Sequence, residues 1–397
     1  MPYLDHAATT PVRRSVREAV AEVLAGPAGN PSSLHGAGRA ARRLVEESRE
    51  QVAEAVGARP SEVVFTSGGT EADNLALLGT LAARRREDPR RRRLVAGATE
   101  HHAVLDTLEA LERDDDAEVT LVAPGPDGVV TPQAVEAAIA SDPGSVAVVS
   151  LMWANNEIGV VQDVAAVATA LRPYGVPLHT DAVQAVGHVP VDFAGSGADL
   201  LALTGHKLGA LVGTGALLVR RDATIAPVTH GGGQERGLRS GTLDVAGVRA
   251  LAVAVTEAVA EREHEAVRLA ALRDRLVEGA MALDPSIRPG GHWERGDVVH
   301  RLPGNAHLLV PGCEGDSLLY LLDAAGVECS TGSACRAGVP QPSHVLLAMG
   351  LPEAQARGAL RLTLGHTSTD ADVDAVLAAL PAALERARRA AGTAGAA

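Results

Sequence analysis

One residue type is almost missing from this chain of 397 residues. Of its 36 lysine and arginine residues, only Lys207 is a lysine, and the other 35 are arginine. A lysine amine can lose its proton when desolvated and can form a Schiff base with an aldehyde, whereas a guanidinium does neither. Pyridoxal 5′-phosphate (PLP) is the common aldehyde cofactor held in this way. A lysine left over by chance is expected at the surface, but Lys207 follows the apolar run 199–203, so we predict that it binds PLP.

Two further sequence patterns are suited to bind the phosphate and the pyridine nitrogen of PLP. Ser67-Gly68-Gly69-Thr70 joins a predicted strand to a predicted helix, and a glycine-rich turn at a helix N-terminus favours a phosphate. Asp181 follows another predicted strand, where a carboxylate can keep the pyridine nitrogen of PLP protonated. Ordinary loop geometry and a helix N-cap are the structural alternatives for these two patterns.

Three polar positions are candidates for contacts with the cofactor or a substrate. His101 lies just past a predicted strand and can stack on a ring or move protons near neutral pH, although a packed polar histidine is the alternative. Asn155-Asn156 follows the strand 146–151 and suits hydrogen bonds to a ring oxygen or a carboxylate, but asparagine also forms turns. Arg361 lies in an apolar strand, where a charge is costly unless paired. It is explained by a clamp on a substrate carboxylate or by a structural salt bridge.

The cysteines indicate both a nucleophile and a compartment. Cys335 lies in a loop of small residues, 330–338, and an exposed thiol there is a candidate nucleophile. Cys313 and Cys329 are expected to be small buried residues. Three cysteines are too few for a disulfide framework, and residues 1–6 lack the pattern of a signal peptide. We therefore predict a cytoplasmic protein, and we assign no metal ligand.

The elements that must position these residues follow a regular alternation. Helices separate predicted strands at 62–66, 94–98, 118–122, 146–151, 176–180, 199–203 and 216–219. This order predicts an α/β domain with a mostly parallel sheet that binds ligands at the carboxyl ends of its strands. A long helix runs from about 243 to 283, and strands at 306–310, 326–329 and 360–364 follow. We predict a large domain at 12–250 and a smaller α+β domain formed by 1–11 and 251–397.

Composition argues against two classes of partner. The formal net charge is −13 and aromatic residues make up 2% of the chain, which disfavours direct nucleic-acid binding. No apolar run reaches the roughly 18 residues that a membrane-spanning helix needs. Neither nucleic acid nor a membrane is predicted as a partner.

Taken together, the motifs resemble PLP-dependent cysteine desulfurases of the NifS/IscS type, in the class V aminotransferase family. The resemblance covers nearly the whole chain and includes the segments 3–11, 30–33, 67–74, 100–105, 152–159, 179–187, 205–207, 230–242 and 333–335. It implies the fold of type I PLP-dependent transferases, with a large domain and a smaller α+β domain. It also implies a homodimer that converts L-cysteine to L-alanine and passes the sulfur to an acceptor protein.

The resemblance assigns a role to each matching residue. Lys207 would carry the cofactor and remove the substrate α-proton, His101 would stack on the ring and shuttle protons, and Cys335 would receive the sulfur as a persulfide. Arg361 would hold the substrate carboxylate, and Asn156 would lie by the ring oxygen or the substrate. The remaining cofactor contacts would come from Gly69, Thr70, Asp181, Gln184, Thr204 and His206, and from Thr242 of the other subunit.

The sequence leaves several interpretations of the function open. A selenocysteine lyase, or another PLP-dependent β-eliminating enzyme, shares Lys207 and Asp181 but need not use Cys335. A scaffold for sulfur assembly that keeps the fold without the chemistry is a non-enzymatic alternative. The acceptor is not indicated, since iron–sulfur cluster assembly, tRNA thiolation and DNA phosphorothioation all use such enzymes. After Lys207, the segment 208–215 lacks the Gly-Pro-Lys-Gly-like turn that is usual in the family.

Overall fold

The structure, a computed structural model, describes residues 1–332 and 341–394. Its largest element is a seven-stranded sheet with the order β1-β7-β6-β5-β4-β2-β3. Only β7 runs antiparallel to its neighbours β1 and β6, and the other pairs are parallel. The strands are β1 (Val63–Thr66), β2 (Arg93–Gly97), β3 (Glu118–Val122), β4 (Val146–Ser150), β5 (Leu178–Asp181), β6 (Leu200–Thr204) and β7 (Gly215–Val219).

Helices cover this sheet, which is why strands such as β4 and β6 consist almost entirely of apolar residues. Every residue of β4 and β6 is buried. The helices of this part are α1 (Arg14–Ala25), α2 (Gly36–Ala55), α3 (Gly69–Glu87), α4 (His102–Asp114), α5 (Pro132–Ile139), α6 (Val164–Leu171) and α7 (Phe193–Ser196). The mostly parallel α/β architecture predicted from the sequence is confirmed.

A second, antiparallel sheet of three strands has the order β10-β9-β8. Its strands are β8 (Arg288–Pro289), β9 (Asn305–Leu309) and β10 (Ala359–Thr363). The helices of this part are α8 (Val245–Leu283), α9 (Gly315–Ala324), α10 (His344–Ala348), α11 (Glu353–Ala356) and α12 (Asp370–Ala394). None of the helices within residues 1–332 and 341–394 has the length and apolar character needed to cross a lipid bilayer.

Helix α8 contributes to two separate hydrophobic cores. Its first half, including Val248 and Val255, packs in the core of the large sheet. Its second half, including Leu269 and Val277, packs in the core of the small sheet together with Leu4 of the N-terminal segment. The predicted boundary between residues 250 and 251 therefore falls inside a continuous helix, and the division into two domains stays a prediction.

The predicted strand 326–329 is wrong. This segment makes only isolated bridges, from Tyr3 to Glu328 and from Ser330 to Arg361. Its backbone forms a bridge first with the N-terminal segment and then, at Ser330, with β10. Neither pairing continues into a strand ladder. The sequence pattern of an apolar run after a helix could not distinguish these two arrangements.

The topology brings one set of loops to a single edge of the large sheet. Strand β7 is antiparallel to both β1 and β6, so β1 runs in the same direction as the parallel strands. The carboxyl ends of β1, β2, β4, β5 and β6 consequently lie at one edge, where ligands bind in open α/β sheets.

Candidate active site

A cavity of about 360 Å³ opens at this edge, between the large sheet and the second part of the chain. Such a volume is typical of sites for small molecules and cofactors. The cavity brings together every predicted site residue except Thr242 and Cys335: its walls include Gly69, Thr70, His101, Asn156, Asp181, Gln184, Thr204, His206, Lys207 and Arg361.

Lys207 lies in the turn that follows β6, and its amine points into the cavity wall formed by the N-terminal segment. Nζ donates hydrogen bonds to the carbonyl oxygens of Ala7 and Ala8, the latter at 2.7 Å. Burial, and then the positive charge of Arg361, lower the pKa of the Lys207 amine to about 8, against the opposing charges of Asp5 and Asp181. A fraction of the amine is therefore neutral at physiological pH, as a nucleophile or base requires.

Asp181 is the last residue of β5, whereas the sequence predicted that it follows the strand. Its side chain is buried. Its Oδ1 accepts a hydrogen bond from the Val183 N–H at 2.9 Å, which directs the carboxyl group over the strand end. Burial raises the pKa of Asp181, while His101, the Val183 N–H and Lys207 act in the opposite direction. A cation placed against this carboxyl would favour its ionised form.

His101 caps helix α4 as well as facing the cavity. Its Nδ1 accepts the N–H of Ala103 at 3.0 Å, so the neutral ring carries its proton on Nε2. The ring opens onto the cavity, and the surrounding protein lowers its pKa by desolvation, with Asp181 opposing this effect. The ring is thus fixed in one tautomer and is mainly neutral near pH 7.

The N-terminus of α3 forms one end of the cavity. The helix begins at Gly69, after Gly68 with a φ of 153°, and its first N–H groups have no partner within the helix. A Cβ atom on Gly69 would lie 2.6 Å from the Val183 Cγ2, so any side chain there would fill the space beside the helix end. This bare end with free N–H groups matches the geometry of a phosphate site.

The last residue of β6 and a residue of the turn after it also line the cavity. The Thr204 hydroxyl donates to the Thr214 carbonyl at 3.1 Å, and His206 Nδ1 lies 3.3 Å from Thr9 Oγ1. Burial, followed by the charge of Lys207, lowers the pKa of His206 to about 4. His206 is therefore neutral and contributes a hydrogen-bonding group and not a charge.

The two adjacent asparagines have different environments. Asn155 is fully buried; its Nδ2 donates to the Thr99 carbonyl, and its Oδ1 accepts the N–H groups of Glu157 and Ile158. Asn156 lines the cavity. Asn155 thus has the turn-forming role that the sequence left as an alternative, and Asn156 is the residue placed to contact a ligand.

Arg361 is both paired and available to the cavity. Its Nη2 lies 2.8 Å from Asp5 Oδ1, and its Nη1 donates to the Asn156 carbonyl at 3.0 Å. The Nε is buried and has no hydrogen-bond partner within residues 1–332 and 341–394. The structural salt bridge considered from the sequence is present, and these two contacts engage two of the five N–H groups of the guanidinium.

Two predicted residues are not in this cavity. Thr242 is exposed, in the segment just before α8. Cys335 lies outside the described residues, although Ser330 and Gly332, which precede it in the chain, line the cavity. The other two cysteines are buried and unpaired as expected, and burial raises the pKa of Cys329 to about 12.

A buried aspartate in the wall of the cavity was not predicted as part of the site. Asp73 of α3 lies 3.4 Å from His179 Nε2, and His179 Nδ1 lies 3.0 Å from Ser150 Oγ. Burial, and then the charges of Asp181 and Glu100, raise the pKa of Asp73, and burial lowers the pKa of His179 to about 3. An aspartate within the apolar stretch of α3 and a histidine within a buried strand were the available signals.

Comparison with known proteins places the chain in a family. The model of the aminotransferase class-V family matches residues 2–376. An IscS-like cysteine desulfurase of Mycobacterium tuberculosis is 54% identical over 391 residues, which cover 98% of each chain. The solved structure of a NifS-like protein has a TM-score of 0.86 at 33% identity and covers 97% of this chain and 99% of that one. A structure titled SspA in complex with cysteine has a TM-score of 0.75 at 30% identity, covering 92% and 99%.

The identity to these proteins extends over almost the full length of the chain and is not confined to one motif. The chain therefore belongs to the class-V aminotransferase family, among its IscS-like and NifS-like cysteine desulfurases.

Proposed function

We propose that the protein is a PLP-dependent cysteine desulfurase that uses Cys335 as its sulfur carrier. In the overall reaction, the Cβ–S bond of L-cysteine breaks and an S–S bond forms between the substrate sulfur and the Cys335 Sγ. The products are L-alanine and a protein persulfide, so atoms balance without an added oxidant or reductant. The observation that carries the proposal is the single lysine, with its lowered pKa, in one cavity with Asp181, His101 and Arg361.

The cavity fits PLP at each of its ends. The α3 N-terminus with Gly69 and Thr70 would hold the phosphate, Asp181 would hold the pyridine nitrogen, His101 would stack on the ring, and Lys207 would bind the aldehyde carbon. When bound, PLP supplies an electron sink for charge that develops at the substrate Cα. Gln184 donates to the Ala7 carbonyl and is held beside the ring position by this contact.

Protein groups would position L-cysteine and move its protons. Arg361, which lines the cavity, would bind the substrate carboxylate with its guanidinium, while Asp5 keeps that group in place. In its neutral form, the Lys207 amine would take the proton from the Cα of L-cysteine. A structure of a similar protein, titled as a complex with cysteine, supports this substrate.

The number of residues between Gly332 and Cys335 would allow the Cys335 thiol to reach the cavity. Gly332 forms part of the cavity wall, and Cys335 follows three residues later. Because a chain spans at most about 3.6 Å per residue, the Cα of Cys335 lies within about 11 Å of that of Gly332. The thiolate is the attacking form, since a thiol is a poor nucleophile.

We also propose a homodimer and a protein that accepts the persulfide sulfur. The exposed position of Thr242, away from the cavity of its own chain, supports a homodimer in which it reaches the cofactor of the other subunit. The unpaired Cys313 and Cys329 suit a reducing cytoplasm. The persulfide would pass to an acceptor protein for iron–sulfur cluster assembly, tRNA thiolation or DNA phosphorothioation.

The test separates PLP chemistry from sulfur transfer. Lys207→Ala is expected to lose the visible absorbance of the cofactor-bound lysine and all alanine production. Cys335→Ala should keep the absorbance but lose the persulfide, detected by alkylation and mass spectrometry, and Cys313→Ala serves as the matched cysteine control. If Cys335→Ala transferred sulfur to an acceptor at the full rate, the protein would be a β-eliminating lyase instead.

A further inference from the structure

A cluster of two histidines and one aspartate lies far along the chain from Lys207, in the loop between β8 and β9. In this loop, defined here as residues 292–300, ligand-type atoms of His292, Asp297 and His300 all lie within 4.8 Å of one another. His292 Nε2 is 3.3 Å from Asp297 Oδ2, and His300 Nδ1 is 3.5 Å from Asp297 Oδ1. Two imidazoles and one carboxylate form a common ligand set for transition-metal ions.

The backbone of the 292–300 loop is fixed at each of the three residues. The His292 N–H donates to the Asp127 carbonyl at 2.9 Å, and its carbonyl accepts from Arg301 at 2.6 Å. The Asp297 carbonyl accepts from Arg273 at 2.8 Å. The carbonyl of His300 accepts from the Val161 N–H at 2.9 Å. The three side chains are therefore held on a preorganised frame, as a binding site requires.

The two oxygens of Asp297 have different surroundings. Oδ1 accepts the N–H groups of Val299 and His300 at 2.8 and 2.9 Å, which orient the carboxylate. Oδ2 and His292 Nε2 are both buried and have no hydrogen-bond partner among the residues that the structure describes. The Asp297 side chain is only 7% exposed. Buried polar atoms without a hydrogen bond are rare in proteins, and here two of them lie 3.3 Å apart.

We propose that His292, Asp297 and His300 bind one divalent transition-metal ion of the Zn²⁺ class. Asp297 Oδ2 and His292 Nε2 would be ligands that now lack partners, His300 Nδ1 would be the third, and water or a partner's side chain would take the fourth position. The two N–H bonds to Oδ1 would act as the outer shell that orients a ligating carboxylate. The proposal concerns a separate loop and does not depend on the proposed enzymatic function.

The charges around the 292–300 loop determine which ions fit. Arg273 is paired with Asp274 at 2.8 Å, and Asp297 interacts electrostatically with the guanidinium of Arg301. Because the surroundings are close to neutral, the site offers little attraction based on charge alone. Ca²⁺ and Mg²⁺ need several oxygen ligands, whereas imidazole nitrogens suit Zn²⁺, Co²⁺ and Ni²⁺. Selectivity for these ions over Mg²⁺ and Ca²⁺ follows.

The experiment is a calorimetric titration of the cofactor-loaded protein with Zn²⁺, in a Cys335→Ser background that removes a competing thiol. One ion is expected per chain, and the melting temperature should rise because the ion binds only the folded protein. Loss of an outer-shell partner alone weakens metal sites about 10- to 100-fold, so His292→Ala and His300→Ala should each weaken binding by more than about 100-fold. Mg²⁺ should produce neither heat nor a shift in melting temperature.

A matched control uses His264, whose exposed side chain lies 3.5 Å from Glu265 and belongs to no three-ligand cluster within the described part of the chain. His264→Ala should bind Zn²⁺ like its parent. Since the side chains of His292 and His300 are 36% and 71% exposed, their variants are expected to fold, and their melting temperatures without Zn²⁺ check this. Absence of Zn²⁺ binding in the parent, or equal binding in the parent and both histidine variants, would show that the cluster is only an ion pair.

Discussion

Arg361 of β10 and Asp5 of the N-terminal segment form an ion pair, with 2.8 Å between Nη2 and Oδ1, in the wall of the cavity that contains Lys207. The pair joins the first residues of the chain to one of its last strands. It also brings opposite charges to the lysine amine: Arg361 lowers the pKa of Lys207 and Asp5 raises it. The residue expected to bind substrate thus also affects the residue expected to carry the cofactor.

The Arg361–Asp5 pair predicts how affinity for L-cysteine changes. Arg361→Lys keeps a positive charge but loses the planar fork that holds two partners. Hydrogen bonds to charged groups contribute about 1.5–3 kcal/mol, so KM should rise roughly 10- to 100-fold with a smaller change in kcat. Asp5→Asn removes only the support of the guanidinium and should raise KM less.

Steady-state kinetics with L-cysteine measures both variants. Arg14→Lys provides a control, because Arg14 is an exposed residue paired with Glu18 on α1. A fall in kcat at constant KM for Arg361→Lys would contradict a role for Arg361 in substrate binding.

The single lysine allows a direct titration of the cofactor-free protein. Burial, aided by Arg361, lowers the pKa of Lys207 to about 8. Since only the neutral amine reacts with an aldehyde, the rate of PLP uptake should rise as the pH increases through about 8. Reductive methylation with a ¹³C label and NMR would report the same midpoint, since the α-amine of Met1 is the only other primary amine of the sequence.

Two variants should move this midpoint in opposite directions. Arg361→Gln removes a positive charge and should raise the pKa of Lys207, whereas Asp5→Asn removes a negative charge and should lower it. A midpoint near 10.5, the ordinary value for lysine, would show that the amine is solvated and is not prepared for reaction with PLP.

Asp73 predicts a change in how stability depends on pH. Burial, then Asp181 and Glu100, raise its pKa well above the ordinary value, so the unfolded chain loses this proton at lower pH than the folded one. The stabilisation is complete below the unfolded pKa and decreases as the pH rises toward the folded pKa. Asp73→Asn cannot ionise, so its stability relative to that of wild type should increase between pH 4 and pH 7.

Denaturant unfolding of the cofactor-free protein at several pH values measures this difference. The exposed Asp115→Asn is the control for an Asp-to-Asn change outside the buried site. A constant offset from wild type for Asp73→Asn would mean that Asp73 is already ionised when buried.

The sequence predicts the fold and most of the cavity for identifiable physical reasons. Buried parallel strands read as short apolar runs, and the residues after them are found together because the carboxyl ends of parallel strands meet at one edge. Gly69, His101, Asp181 and Lys207 each lie at the carboxyl end of a strand or within a few residues after it, so their place in the chain predicts their place in the fold.

Other features depend on contacts between distant parts of the chain and have no local signal. Residue 5 and residue 361 form a pair only after both parts of the chain have folded, and the bridges of 326–330 alternate between two partners. Asp73 and His179 lie in otherwise apolar elements, where a polar residue shows that something is paired without showing its partner.

The neighbouring residues Asn155 and Asn156 have separate roles, so replacing each with alanine should have a different effect. Asn155→Ala leaves the N–H groups of Glu157 and Ile158 and the Thr99 carbonyl without a buried partner, and each such loss costs about 1–3 kcal/mol. Its melting temperature should therefore fall clearly. Asn156→Ala removes a side chain that faces the cavity, so it should melt close to wild type but bind PLP or L-cysteine more weakly. Calorimetric melting and a PLP titration of both variants test this, and equal melting temperatures would contradict the structural role of Asn155.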